Sequence, residues 1–150
     1  MKLGQICETA VVTVSAASPL AHAAAEMRRT HVGALVVVEQ RQGGVWPVGI
    51  ITDRDIALTF TVPDASPDRR VGDVMSRNLV VAAKGDDFFD ALSKMRRFGV
   101  RRLPVVASDG RLHGIITLDD MVDFLSAKLR EAAAVVPRER RAEARLVKAR

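Results

Sequence analysis

Two short segments carry side chains that could hold a phosphorylated nucleoside. Thr52, Arg54 and Asp55 follow a run of apolar residues, and Thr117 and Asp120 do the same further along the chain. A helix that begins at the threonine would turn unpaired N–H groups and a partial positive charge toward a phosphate. The hydroxyl and Arg54 could donate to phosphate oxygens, and the carboxylate of Asp55 could accept from both hydroxyls of a ribose.

The same spacing also has a purely structural interpretation. Threonine followed three residues later by an acid is typical of a capping box, in which the threonine accepts from a first-turn N–H and the acid reaches back. Within a single copy the capping interpretation is the stronger one. Duplication would copy a cap as faithfully as a site, so both interpretations stay open.

The two segments belong to an internal duplication. Residues 27–38 return as 95–106 at a shift of 68 positions, and residues 49–55 return as 114–120 at a shift of 65. The first copy therefore has three extra residues, which fall within 39–47. Repetition at a fixed offset defines the folding unit before its contents are considered. The chain is thus predicted to contain two similar units that share a core.

Apolar patterning and helix-start signals predict the order β-α-β-β-α in each copy. The predicted strands lie at 11–14, 34–38, 45–51, 79–81, 103–106 and 112–116. The predicted helices lie at 20–29, 52–61, 87–97 and 118–130. Ser18 is expected to cap the first helix, with Pro19 as its first residue. Because proline cannot donate to a ladder, Pro104 is expected to begin its strand or to lie on an edge strand.

Composition indicates an ordinary globular protein. The 150 residues are 48% hydrophobic and 27% charged, which suits one well-buried core. No apolar run approaches the roughly 20 residues that cross a bilayer, and no signal-peptide pattern opens the sequence. The single Cys7 cannot form an internal disulfide, which fits a reducing compartment. We therefore expect a cytoplasmic protein with no membrane partner.

The net charge of +5 belongs to the C-terminal end of the sequence. Residues 127–150 hold eight Lys or Arg and three Glu, whereas the preceding residues hold fifteen charges of each sign. Such a tail could attract nucleic acid in a salt-sensitive way, but the interspersed Glu residues and the shortage of aromatic residues weaken that interpretation. We expect 128–150 to form a solvated helix, with Pro137 interrupting it, or a partly disordered tail.

Each copy resembles the CBS domain, named after cystathionine β-synthase, and the pair resembles a tandem CBS (Bateman) module. The resemblance rests on the Val-Gly-Asp-Val-Met lead-in at 71–75, the strand at 100–106 and the Gly-Ile-Ile-Thr-x-x-Asp close of both copies. It implies an α/β fold of two repeats packed with pseudo-two-fold symmetry. The implied boundaries are 3–61 and 71–127 for the repeats, 62–70 for a linker and 128–150 for the tail.

The resemblance also implies a sensor that binds adenine nucleotides or S-adenosylmethionine between its repeats and pairs into a homodimer. Its first cleft would combine Thr52, Arg54 and Asp55 with residues of the second repeat, namely Val80, Val100, Arg101, Arg102 and Pro104. Its second cleft would combine Thr117 and Asp120 with residues of the first repeat, namely Val12, Val32, Gly33 and Ala34. The valines would sandwich the adenine, although core packing is the favoured explanation for any single one of them.

The two clefts differ in charge. The first contains three arginines, whereas the second has Gly33, Ala34 and Asp119 at the matching positions. A hydrogen bond to a charged group contributes about 1.5–3 kcal/mol. We therefore expect AMP, ADP or ATP in the first cleft. The second is expected to be empty, weaker, or suited to a less negative ligand such as S-adenosylmethionine.

No residue pattern supports catalysis, a catalytic cofactor or a metal site. His22, His31 and His113 are scattered, and no glycine-rich phosphate loop is present. Three functions remain open. The favoured one is a regulatory module that senses an adenine nucleotide and signals to an unidentified partner protein through a change in shape or dimer packing. The alternatives are a ligand-free dimerisation scaffold and a nucleic-acid-associated regulator that uses the basic tail.

Overall fold

A computed structural model describes residues 1–135 of the chain. The described residues form two three-stranded sheets and four α-helices, which confirms the expected α/β class. Met1–Ile116 form one compact unit, and Thr117 begins a second. The predicted interruption at Pro137 and most of the predicted tail lie outside the described residues.

The first copy forms a sheet with β2 in the middle. Its elements are β1 (Thr13–Ser15), α1 (Leu20–Thr30), β2 (Ala34–Arg41), β3 (Gly44–Thr52) and α2 (Asp53–Thr59). β1 runs parallel to β2, and β2 pairs antiparallel with β3. The apolar run of β2 is buried from Leu35 to Val38, as expected for a strand covered on both faces.

The second copy repeats this arrangement around β5. Its elements are β4 (Ala82–Ala83), α3 (Phe88–Phe98), β5 (Arg102–Val106), β6 (Leu112–Thr117) and α4 (Leu118–Ala133). The strand order is β4-β5-β6, and β4 runs parallel to β5. α4 lies in the second unit and begins directly after its N-cap, Thr117.

Pro104 corrects one expectation. It is the third residue of β5, the middle strand of its sheet, and neither begins the strand nor lies on an edge. The reason lies in the short partner strand, because β4 pairs only with Val105 and Val106. Val36, which matches Pro104 in the first copy, donates its N–H to the carbonyl of Val12 at 3.3 Å. Proline cannot form that bond, and the parallel ladder of the second copy begins one residue later, at Val105.

The start of α1 corrects a second expectation. The N-cap is Pro19, with extended backbone, and no side chain caps the helix. The N–H groups of Leu20 and Ala21 donate instead to the carbonyls of Arg69 and Pro67, at 2.8 and 3.0 Å. The linker thus satisfies the donors that Ser18 was expected to satisfy.

Two of the predicted strands begin later than expected. The segment expected at 11–14 forms a strand over Thr13–Ser15, and the segment expected at 79–81 forms one over Ala82–Ala83. The residues just before each strand leave the sheet. In the second copy those residues include Leu79 and Val80, which line a pocket.

The lead-in of each copy, residues 3–7 in the first and 71–75 in the second, packs on the other copy. The core of the first copy contains Val71 and Met75, which precede the strands of the second. Val71 donates its N–H to the carbonyl of Ser18 at 2.9 Å, and Leu3 donates to the carbonyl of Asp86 at 3.0 Å. These two bonds are related by the 68-residue offset, so the exchange of lead-ins is reciprocal.

Two short antiparallel bridges complete the exchange. Ser76 and Ile50 exchange backbone hydrogen bonds of 2.9 and 3.3 Å, and Glu8 and Ile115 exchange two of 2.9 Å. Gly49 precedes Ile50 in β3, and Gly114 precedes Ile115 in β6. A Cβ on Gly114 would lie 2.7 Å from both the Sγ atom of Cys7 and the carbonyl oxygen of Glu8. Only glycine lets the two backbones approach this closely.

The three extra residues of the first copy lengthen the β2–β3 hairpin. Near its tip, Trp46 donates its indole N–H to the carbonyl of Asp109 at 3.3 Å. Arg111 returns a hydrogen bond of 3.0 Å to the carbonyl of Gly43. The insertion therefore brings the hairpin of the first copy into contact with the β5–β6 turn of the second.

Replacing Gly114 with Ala should destabilise the protein by about 1–3 kcal/mol, because the new methyl group forces the lead-in of the first copy off β6. Urea unfolding monitored by circular dichroism measures the change. Gly85→Ala is the matched control, since a Cβ there meets no heavy atom within 4 Å. Equal stability changes for both variants would show that the close approach is not needed.

Candidate functional site

A pocket of about 160 Å³ opens between the two copies inside the first unit. Three segments form its walls: the end of β3, the irregular stretch after the second lead-in, and the turn between α3 and β5. Its lining residues are Ile50, Thr52, Ser76, Asn78, Leu79, Val80, Val100, Arg101 and Arg102. The pocket brings together five of the eight residues predicted for the first cleft.

The turn after α3 brings Val100 and Arg101 to the pocket. Gly99 ends the helix in the left-handed conformation, with φ 65°. Val100 then donates its N–H to the carbonyl of Met95 at 3.1 Å, which closes the helix end. Arg102 follows as the first residue of β5.

The irregular wall is tied down near both ends by side-chain cations. Arg77 donates to the carbonyl of Gly72 at 2.6 Å. Lys94, on α3, donates to the carbonyl of Val81 and to the carboxylate of Asp86, both at 3.1 Å. These bonds hold residues 77–81 in place although they belong to no helix or strand.

Thr52 and Asp55 form the capping box that their spacing predicted. The Oδ2 atom of Asp55 accepts from the Thr52 N–H at 2.8 Å and from the Thr52 hydroxyl at 2.7 Å. The Asp55 N–H donates to the Thr52 hydroxyl oxygen at 3.1 Å. The capping interpretation is therefore confirmed in the first copy.

The other first-turn donors of α2 are also occupied. Asp53 donates its N–H to the carbonyl of Gly33 at 3.2 Å, and Arg54 donates its N–H to the Oδ1 atom of Asp53 at 2.7 Å. A phosphate could reach these N–H groups only by displacing their present acceptors. The helix start therefore offers much less to an anion than the sequence indicated.

The guanidinium groups are better placed for an anion. Arg101 is exposed, Arg102 is half-buried, and both line the pocket. Within residues 1–135, neither forms an ion pair or a side-chain hydrogen bond. Charge at the pocket therefore comes from side chains whose donors are free to bind a ligand.

Three predicted residues do not line the pocket. Arg54 is exposed, Asp55 is half-buried and hydrogen-bonded to Thr52, and Pro104 is fully buried in β5. Sequence reasoning in turn missed four lining residues: Ile50, Ser76, Asn78 and Leu79. The match between the two lead-ins ends at residue 75. It could have indicated Ser76, Asn78 and Leu79, because they follow it closely in the sequence.

The residues predicted for the second cleft have structural surroundings of their own. Val12 and Val32 pack against the core of the first copy. A Cβ on Gly33 would lie 3.2 Å from the Asp53 carboxylate and 3.6 Å from the Arg102 guanidinium.

Ala34 pairs with Thr52 in the β2–β3 ladder. In the second unit, Thr117 and Asp120 form a capping box with bonds of 2.7, 2.9 and 3.1 Å. The second cleft stays a prediction.

Among residues 1–135 there is no group of His, Cys, Asp and Glu side chains that could hold a metal ion. None of the helices in the same range is long and apolar enough to span a membrane.

The two copies correspond to two separate matches of one protein-family model. The family model for the CBS domain matches residues 3–60 and again residues 71–127. The chain belongs to the CBS domain family. It is 40% identical over 113 residues to the CBS domain-containing protein YhcV of Bacillus subtilis, covering 75% of this chain and 77% of YhcV.

Solved CBS-domain structures share the fold. A protein with CBS domains from Burkholderia ambifaria is 25% identical, with a TM-score of 0.72 over 85% of this chain and 95% of that protein. The cytosolic domain of the Mg²⁺ channel MgtE, solved in complex with ATP, is also 25% identical, with a TM-score of 0.69. That match covers 82% of this chain and 48% of the MgtE chain.

The ion pair behind the pocket wall predicts a pH dependence of stability. Burial alone would raise the pKa of Asp86, but hydrogen bonds from the Ala83 N–H and from Lys94 outweigh it and lower the pKa. A carboxylate whose pKa is lowered by folding stabilises the protein above its unfolded pKa of about 3.9, and that contribution is lost as the pH falls through the folded value.

Asp86→Asn should therefore be less stable than the unaltered protein at neutral pH, and the difference should shrink below about pH 4. Urea unfolding at neutral and acidic pH measures it. Asp90→Asn, an exposed change on α3, is the control. A difference for Asp86→Asn that does not vary with pH would contradict the assignment.

Proposed function

We propose that this chain binds an adenine nucleotide (AMP, ADP or ATP) in the pocket between its CBS repeats and passes the bound state to a partner protein. The supporting observation is one pocket that combines apolar walls with two guanidinium groups that form no ion pair or side-chain hydrogen bond within residues 1–135. The role is regulatory and not catalytic. The cytosolic domain of MgtE was solved in complex with ATP. The proposal extends this class of ligand to the present chain.

The size of the pocket favours a base as its occupant. Ligand sites for whole small molecules usually enclose about 300–1,000 Å³. A pocket of about 160 Å³ is smaller than that range. Ile50, Leu79, Val80 and Val100 provide flat apolar contact for a purine ring. The ribose and phosphates would then extend through the open mouth.

The phosphates are assigned to Arg101 and Arg102. The first-turn N–H groups of α2 are occupied, so the guanidinium groups provide the available cationic donors. A charged hydrogen bond contributes about 1.5–3 kcal/mol, which is enough to favour a charged nucleotide over a neutral nucleoside.

The ribose is assigned to Asp55. Its Oδ2 atom is engaged in the capping box, whereas its Oδ1 atom has no hydrogen-bond partner within residues 1–135. The carboxylate can therefore keep the cap and still accept from a ribose hydroxyl. Capping also holds the carboxylate beside Thr52, which lines the pocket.

Signalling requires that the ligand bind one state of the module better than another. The pocket residues Ile50 and Ser76 form one of the two backbone bridges between the copies. A ligand that contacts both stabilises the bridged arrangement relative to an opened one. Closure of the two repeats is thus the change that a partner would detect.

A ligand-free scaffold is the competing function, and ligand binding separates the two. Homodimer formation and a cytoplasmic location stay predictions. A nucleic-acid role would depend on the basic tail, most of which lies outside the described residues.

Millimolar ATP should raise the melting temperature of the unaltered protein, and calorimetry should give a defined affinity. Asp55→Ala should weaken ATP binding by about tenfold or more, because it removes a charged hydrogen-bond acceptor. Asp68→Ala, in the exposed linker, makes the same change in charge and should leave the affinity unaltered. Absence of binding to AMP, ADP and ATP would favour the scaffold instead.

The paired change Arg101→Gln with Arg102→Gln should weaken ATP binding by about tenfold or more while leaving adenosine binding within about twofold. The difference arises because only ATP carries the phosphates. Arg69→Gln, in the linker, controls for loss of positive charge far from the pocket. An equal loss of affinity for ATP and for adenosine would contradict the assignment of the phosphates to the arginines.

A further inference from the structure

A carboxylate of the first repeat lies beside one of the guanidinium groups of the pocket. The two groups meet at Gly33, where the chain has no side chain to separate them. A Cβ atom at Gly33 would lie 3.2 Å from the Oδ2 atom of Asp53 and 3.6 Å from the Nη2 atom of Arg102. Asp53 follows Thr52 directly, and both Thr52 and Arg102 line the pocket. A guanidinium group that we assign to the phosphates therefore has an acidic neighbour.

The two charged groups are close without being bonded to each other. The Oδ1 atom of Asp53 accepts from the N–H of Arg54 at 2.7 Å, whereas its Oδ2 atom accepts no hydrogen bond from any described residue. Asp53 and Arg102 form no ion pair with each other, and neither has another ion pair in residues 1–135. Arg102 is thus free to bind an anion, and that anion would lie a few ångströms from the Asp53 carboxylate.

The duplication does not repeat these two charges. The position 65 residues after Asp53 holds Leu118, and the position 68 residues before Arg102 holds Ala34. The shared fold therefore does not require a charge at either place. Asp53 is also exposed, so its side chain contributes no core packing. An acid and a base that occur on one side of the duplication only, and that lie together at its pocket, point to a role in ligand binding.

We infer that Asp53 is a specificity residue of the pocket, because it opposes each negative charge that a nucleotide brings to Arg102. The inference rests on the proposed nucleotide-binding function. Two unit charges about 6 Å apart repel each other enough to weaken binding about threefold even in a water-like medium. The penalty grows from AMP to ATP and is absent for adenosine, which carries no phosphate. Asp53 thus limits the advantage that the arginines give to longer phosphate chains.

The substitution Asp53→Asn separates the charge of this side chain from its hydrogen bond. Asparagine keeps an oxygen that can accept from the Arg54 N–H, and the two side chains have nearly the same shape. Asp68→Asn is the matched control, since Asp68 is an exposed aspartate of the linker and does not line the pocket. Circular dichroism checks folding, and Asp53→Ser removes the same charge if the asparagine variant does not fold.

Calorimetry with adenosine, AMP and ATP, in a buffer that contains a metal chelator, tests this inference. The chelator keeps ATP free of bound cations, so that its full charge is present. Asp53→Asn should bind ATP about threefold or more tightly than the unaltered protein does, and AMP more tightly by a smaller factor. Its affinity for adenosine should not change. Asp68→Asn should match the unaltered protein with all three ligands.

Three results would overturn the inference while leaving nucleotide binding intact. They are an ATP affinity that does not rise in Asp53→Asn, an equal rise for ATP and adenosine, and an equal rise for ATP in Asp68→Asn. The first two would show that the carboxylate does not act on the phosphates, and the third that net charge alone is responsible. Failure of the unaltered protein to bind AMP or ATP would overturn the proposed function and the inference together.

Discussion

The reciprocal exchange of lead-in segments is the constraint on which the rest of the structure depends. Each repeat places its lead-in against the last strand of the other, which is β3 or β6. Backbone hydrogen bonds and apolar residues such as Val71 and Met75 fix these segments. Neither repeat of about 60 residues would bury a large core alone. The exchange lets the two form one core, and it places the wall of the pocket directly after the second lead-in.

Duplication with small differences accounts for the asymmetry of the molecule. The backbone bonds of the exchange are kept in both halves, whereas the residues around the pocket are not. Arg101 and Arg102 occupy positions that hold Gly33 and Ala34 in the first repeat, and Pro104 occupies the position of Val36. The common scaffold thus allows chemistry to change on one side without altering the packing on the other.

Much of the fold could be predicted from the sequence because the fixed offset defines the repeat and short apolar runs mark the buried strands. The capping boxes were foreseen for a similar reason, since Thr-x-x-Asp is a local pattern. The late start of β4 was not foreseen, because residues 77–81 are held by side-chain bonds to backbone carbonyls, one from Arg77 to Gly72 and one from Lys94 to Val81. The occupied N–H groups of α2 also depend on a distant residue, Gly33.

Amide hydrogen exchange at the four bridging residues tests the central claim most directly. If the exchanged lead-ins hold the two repeats as one cooperative unit, the bridging amides of Glu8, Ile50, Ser76 and Ile115 should exchange only through global unfolding, at the same free energy as the core of β2. Fast exchange at Glu8 and Ser76, with β2 still protected, would show that the lead-ins detach from folded repeats and would contradict the account.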